Sequence, residues 1–338
     1  MRQIFFGVII ISILTNCSEK EGPTIDEEIQ KLSDPPQIFT ITSDKANTIK
    51  AKNGTSVIIR PNTFVFNDGQ DVKESIQIEL KEVFEKPDMV LNGLGTVSDG
   101  RLLESFGMIY LKATADGKEL KIKDNNSITV SIPNKREGYG ELFYGVQTDR
   151  ALNWKYAGST PDTTAVIETE MPMSNGLASV KRTTYRFVDG LKEFVSDTLF
   201  TRKYECCYDS VSESAGYISE AYEFEVTKLG WINCDRFIDV VDKIDIVINL
   251  KDYSQPIGYI VFSDINSVIG ILFDGEGQAF VNNLPNDYLV DIIILDKIKD
   301  NSMWTKQSLK IGTTNTLTLE TTKINADELK TELKKLDQ

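Results

Sequence analysis

From residue 37 the chain settles into a period of two. In ESIQIELKEVF, Ile76, Ile78, Leu80 and Val83 fall to one side, and Gln77, Glu79 and Lys81 fall to the other. That alternation predicts an antiparallel strand with one buried face. SVIIRP, GMIYLKA, KELKIK, SITVSIP and ELFYGV repeat the habit, separated by NDGQD, ADGK and KDNNS. Asp-Gly and Asn-Asn turns at about ten-residue spacing predict a β-sandwich. This first sandwich covers 37–157 and closes with ALNWKYAG.

Periodicity then fades. Residues 158–184 are rich in Thr, Pro and Ser and read as a linker or an extended excursion. Residues 185–240 form a middle β segment with cysteines, whose clean strand holds Tyr222, Phe224 and Val226. A last sandwich covers 241–323, opening with KIDIVINL, in which Ile244, Ile246, Ile248 and Leu250 alternate. Residues 324–338 predict a short C-terminal helix. Asn325 caps it, Glu328 completes a capping box, and Leu329, Leu333 and Leu336 make one apolar stripe. The fold class expected is all-β: tandem Ig-like or transthyretin-like antiparallel sandwiches with that helix.

The first residues change the picture. Arg2 and the apolar run from Ile4 to Leu14 precede LTNC and the polar stretch SEKEGPTIDEEIQK. The run is shorter than the roughly 20 residues of a bilayer span and has the build of a secretory signal. The order of charged tip, apolar run, cysteine and acidic tether resembles a bacterial lipoprotein signal, with Asn16 standing where Gly, Ala or Ser is usual. The expectation is a signal over 1–16, a lipidated Cys17 and a tether over 17–36. Acyl chains on Cys17 would hold the protein at a membrane, each buried methylene adding ~0.8 kcal/mol.

Composition narrows the functions. Removing 1–16 takes Arg2 and no acid, so Lys+Arg falls from 37 to 36 against 51 acids, a net −15. Such a chain repels phosphate backbones, so no nucleic-acid partner is expected. Histidine is absent, which removes Ser-His-Asp and Cys-His catalysis and His-ligated zinc. No cofactor, metal or catalytic residue is expected. In an oxidising compartment, Cys234 is a candidate partner for Cys206 or Cys207, with Cys206 on the more apolar face of YECCYD. Three reduced, buried thiols are the equal alternative.

GTSVIIRPNTFVFNDGQDVKESIQIELKEVF and VLNGLGTVSDGRLLESFGMIYLKATADGKELKI resemble a surface-lipoprotein family of the Bacteroidota whose members are mostly uncharacterised. LGWINCDRF (229–237) is similar to a segment recurring in that family. The first part is also similar to the sandwich of netrin receptors and ankyrins. QAFVNNLPNDYLVDIIIL resembles transthyretin-like or carboxypeptidase-regulatory-like sandwiches. The resemblance implies an outer-membrane, lipid-anchored, cell-surface location and brings no catalytic residues.

Two constellations carry candidate chemistry. Trp231, Asn233, Asp235 and Arg236 combine a ring with amide, acid and guanidinium groups, as carbohydrate recognition does. They equally suit a domain junction in which Trp231 and Phe237 are core and Asp235 pairs with Arg236. Asp99, Arg101 and Glu104 in VSDGRLLES suit a binding loop, or a tight turn at Gly100 with an Arg–carboxylate clamp while Leu102 and Leu103 pack. The function expected is a non-catalytic binding or accessory subunit of an outer-membrane protein complex. The alternatives are a stand-alone module binding surface glycan, and a carboxylate-based glycoside hydrolase, which needs two acids about 5–10 Å apart.

Overall fold

The strand Arg101–Ala115 sets the architecture. The computed structural model describes residues 24–73, 75–133, 135–136, 140–148, 151–157, 164–172, 177–188, 191–203, 218–298 and 301–337, with backbone alone between 164 and 220. Every residue from Leu102 to Ile109 is buried. Alternation in GMIYLKA predicted one buried face, but this half of the strand is covered on both. Phe106 and Ile109 join one core, and Leu103 and Met108 join another. A strand lying between two cores has no solvent side on which to place polar residues.

The protein is all-β, built of antiparallel sandwiches with short helices. The first sheet runs Gln37–Thr42, Ser75–Val83, Arg101–Ala115, Gly230–Phe237, Glu141–Gln147, Leu152–Tyr156. Ile76, Ile78 and Leu80 face the first core as alternation predicts. Val83 does not join them, because its odd position turns it to the second core. The second sheet contains Ile218–Val226, Ile128–Pro133, Ser56–Ile59 and Asn47–Lys50. Their inward residues, among them Tyr222, Phe224, Val130 and Val57, complete the first core.

The stretches divided at 185 lie otherwise. Strand Leu177–Val188 runs straight across that boundary. Thr164–Pro172, Leu177–Val188 and Leu191–Lys203 extend the second sheet in succession. Ile218–Val226 and Gly230–Phe237 then return to one sheet each of the first sandwich. Alternation can locate a strand, but it is blind to the strand's partner.

In the C-terminal sandwich, Lys243–Leu250 pairs antiparallel with Gln278–Pro285 and parallel with Thr316–Leu319. The facing sheet runs Val268–Ile271, Ile257–Phe262, Leu289–Ile298, Asn301–Lys310, Thr322–Lys323. Ile246, Ile248, Ile260, Phe262, Ile292 and Ile294 fill the space between them. The outer face of that second sheet, through Tyr259, Val261, Ile293 and Leu295, packs on Val83, Leu103, Met108 and Trp154 of the first sandwich. The two sandwiches therefore share a middle core. Each fully buried Leu, Ile or Met there contributes about 1.5–3 kcal/mol.

Three helices edge this core. Ala326–Lys334 has the expected Asn325–Glu328 capping box, and Leu329, Leu333 and Leu336 are buried in the core shared by both sandwiches. The tether expected over 17–36 is folded from Thr24 onward. Thr24 and Glu27 form a second capping box for Ile25–Gln30, and Ile25 and Ile29, one turn apart, are buried. Lys86–Leu91 starts with proline in its first turn and buries Met89, Val90 and Leu91. Its Lys86 donates to the carbonyls of Phe262 (3.0 Å) and Ser263 (3.4 Å), bolting one sandwich to the other.

Candidate functional site

Strand Gly230–Phe237 lies at the centre of the first sheet and separates two kinds of surface. Near its C-terminal end the pairing slips: Cys234 faces Gly107, but Asp235 faces Ser105, so Phe106 is the extra residue of a β-bulge. Gly107 is required there. It has φ +154°, and a Cβ would lie 2.8 Å from Phe84 and 2.9 Å from Ile132.

Beside the bulge lies a buried polar seam. The Ser105 hydroxyl donates to Asn233 Oδ1 (3.0 Å), and Asn233 Nδ2 donates to Asp235 Oδ2 (2.5 Å). Asp235 is fully buried, and its Oδ1 has no hydrogen-bond partner among the described residues. Burial pushes its carboxyl well above the usual range, against the pull of Ser105 and Asn233. Glu141, directly opposite on the neighbouring strand, is also raised by burial, with the Tyr156 hydroxyl pulling the other way. Asp235 does not pair with Arg236, because consecutive strand residues point to opposite faces. Arg236 instead meets Glu104, its cross-strand neighbour, through Nε at 2.7 Å and Nη2 at 2.5 Å.

The other half of the strand opens to solvent. Lys81 pairs with Tyr110, and Tyr110 with Trp231, so the three side chains share a face in one row across the sheet. The Tyr110 and Trp231 rings are 5.2 Å apart and tilted by 53°. Gly145 on the next strand leaves space beside the Trp231 Cβ. A Cβ there would lie 2.7 Å from Trp231 Cβ and 2.9 Å from Leu152. Opposite Gly145, Trp154 is fully buried and donates Nε1–H to the Gly95 carbonyl at 2.6 Å, anchoring that end of the row.

The row forms the floor of a groove of about 600 Å³ between the sandwiches. Ile257, Tyr259 and Leu272 wall it from the C-terminal sandwich, and Asp26, Gln30 and Asn92 close one end. Past Lys81 and Asn92 it continues into a second hollow of about 410 Å³ edged by Asp34, Lys52 and Asp88. Lys81 Nζ donates to Ser33 Oγ at 2.9 Å. Burial lowers its amine pKa, while Asp88 and Asp34 oppose the change. Burial raises the Asp26 carboxyl. It also raises the Tyr259 hydroxyl, with the Asp26 charge adding to the effect.

Of the residues singled out in sequence, only Trp231 reaches this groove. Asn233 and Asp235 share its face but are sealed under the second core, and Arg236 lies on the other face. Asp99, Arg101 and Glu104 are dispersed. Asp99 and Gly100, both at positive φ, form a tight turn, where Asp99 accepts from Lys155 and from Asn153 (2.9 Å). The Arg101 guanidinium lies 3.6 Å over the Phe237 ring, and Glu104 is held by Arg236. Leu102 and Leu103 are buried in different cores.

Cys234 is fully buried, has no disulfide partner among the described residues, and packs against Gly140, where a Cβ would come within 2.2 Å of its Sγ. Burial, and then Asp235 and Glu141, push that thiol up. Cys17, Cys206 and Cys207 lie outside the described residues. Among the described residues no cluster of His, Cys, Asp or Glu has metal-binding geometry, and no helix is long and apolar enough to cross a membrane.

The groove residues missed in sequence are Asp26, Gln30, Lys81, Asn92, Tyr110, Gln147 and Tyr259. The Thr24–Glu27 spacing is the signal that the tether expectation passed over for the helix carrying the first two. No local signal marked the others, because register between distant strands assembles them. No family model matches the chain, and no curated protein or solved structure shows significant similarity to it.

Proposed function

We propose that this chain is a lipid-anchored outer-membrane protein that works by binding, and that the groove between its sandwiches is the binding surface. The observation that carries the reading is the row Lys81–Tyr110–Trp231. It is a solvent-open aromatic platform set on the three central strands of a sheet whose registers are all paired. Binding groups on rigid elements lose little freedom when a ligand arrives. The buried acids do not favour hydrolysis, because Asp235 and Glu141 are enclosed by protein and do not line the groove.

The anchor rests on the order IFFGVIIISILTNC followed by acidic residues. Thr24 lies seven positions after Cys17, a reach of at most about 25 Å. A lipid on Cys17 would therefore keep helix Ile25–Gln30, one end of the groove, close to the membrane. An accessory-subunit role is the second reading, favoured by Leu272, Phe280 and Leu289 on the C-terminal sandwich, which are 55%, 63% and 49% exposed.

The test is intact-mass analysis of protein purified from its own membranes, with a Cys17→Ser control, followed by protease shaving of whole cells. A mature mass beginning at Cys17 plus diacylglycerol, with cleavage by external protease, supports the anchored surface protein. An unlipidated mass refutes the anchor.

A further inference from the structure

We propose that the groove takes a neutral oligosaccharide, with a sugar ring stacked on Trp231 and Tyr110. The proposal rests on the reading of the groove as the binding surface, and names its ligand class.

Three features of the lining point there. First, the floor is aromatic. Trp231 is half-buried, with the Tyr110 ring beside its indole and the bare Gly145 backbone beside its Cβ. A pyranose offers a flat face of C–H bonds to such a floor, while its hydroxyls point outward to the walls. Second, the polar walls are amides. Gln30, Asn92 and Gln147 each carry a donor and an acceptor, which matches hydroxyls that must both give and receive. Third, the charges balance. Among the described residues Asp26 and Lys81 are the acid and the base of the lining, and Lys81 also donates to Ser33. An anionic ligand would meet a chain of net charge −14 and, among the described lining residues, a single cation offset by Asp26.

Shape argues in the same direction. The floor is a sheet face whose central strands are paired on both sides, so it offers a ligand side chains rather than backbone groups. The volume lies in the usual range for a small-molecule site, about 300–1,000 Å³. The second hollow beyond Lys81 gives a linear ligand of more than one ring a place to continue.

The test uses the full chain in a non-glycosidic detergent, titrated with maltohexaose, laminarihexaose, xylohexaose and chitohexaose, with tryptophan emission and calorimetry as readouts. At least one sugar should bind saturably and shift the emission. Trp231→Ala and Gly145→Val should each weaken binding at least about tenfold, whereas Trp304→Phe, outside the groove, should not. Melting curves of the variants verify that each is folded. Vesicles bearing a glycosylated lipid then separate the sources: retention assigns the saccharide to a headgroup, and binding in solution alone assigns it to a free glycan.

Absence of binding to every sugar and vesicle overturns the proposal, and so does unchanged affinity in folded Trp231→Ala. A photo-crosslinking residue at position 147 in cells distinguishes the two levels. An adduct with another protein, without sugar binding, overturns the saccharide and leaves the groove as a binding surface. An adduct with the chain's own N-terminal residues overturns both.

Discussion

Replacing Asp235 with asparagine keeps the shape of the side chain and its acceptor oxygen, and removes its ability to ionise. The carboxyl is fully buried, is raised by that burial, and has one oxygen without a partner among the described residues. In the unfolded chain the same group titrates near 3.9. Between that value and the higher folded one, the native protein holds a proton that the unfolded chain releases. The contribution is therefore fully present below the unfolded pKa and is lost as pH rises through the folded pKa. The slope is at most about 1.4 kcal/mol per pH unit. The Asp235→Asn protein has no such window. The two proteins should agree within about 1 kcal/mol near pH 3.5, where both side chains are mostly neutral. At pH 7 the variant should be more stable by about 1–4 kcal/mol, the upper end being that slope taken over the roughly three pH units from 3.9 to 7. Urea unfolding followed by tryptophan emission at half-unit steps from pH 3.5 to 8 measures the difference. Glu141, Asp88, Asp26 and Asp337, also raised by burial, are common to both proteins and cancel. Parallel stability curves would refute the reasoning, because they require an Asp235 that ionises as easily in the fold as outside it.

Three further outcomes follow from the geometry. Gly145→Ala sets a methyl 2.7 Å from Trp231 Cβ and 2.9 Å from Leu152. It should cost about 1–3 kcal/mol and shift the Trp231 emission, which fluorescence and a denaturant midpoint read together. Trp154→Phe removes the donor to the Gly95 carbonyl and should destabilise by about 1–3 kcal/mol; thermal melting checks it, and an unchanged midpoint would show that bond to be immaterial. Lys86→Met keeps the stem but leaves the Phe262 and Ser263 carbonyls without their cation, again about 1–3 kcal/mol. Because burial lowers the Lys86 pKa, the unfolded chain binds the proton more tightly. The wild type should therefore gain on this variant as pH rises towards 10, in melts at several pH values.

Much of the local structure was legible along the chain. The alternation of ESIQIELKEVF located its strand and the inward side of Ile76, Ile78 and Leu80. Asn325 and Glu328 announced the last helix, and Asp99-Gly100 its tight turn. The helix Ile25–Gln30 lies in the stretch expected to be a tether, because its six residues are too few to be stable alone and its burial depends on a core built from both sandwiches. Arg101–Ala115 misled in the opposite way, since an apolar run covered on two faces does not show whether one layer or two lie against it.

The candidate site divides along the same line. Sequence singled out Trp231 and its polar neighbours by residue type, and strand geometry requires Asn233 and Asp235 to share its face. Only the fold decided that Trp231 would open on a groove while Asp235 would be sealed. Only the fold seated Lys81 and Tyr110 beside that indole, and brought Asp26 and Gln30 to the groove's end. By itself, the sequence determined which positions are strands, which side chains point together, and what caps each helix, because these depend on residues a few places apart. Pairing between distant strands, and the packing of one sandwich on another, decided the rest. Those contacts join positions far apart in the chain, and their energies are set by partners that no local pattern contains.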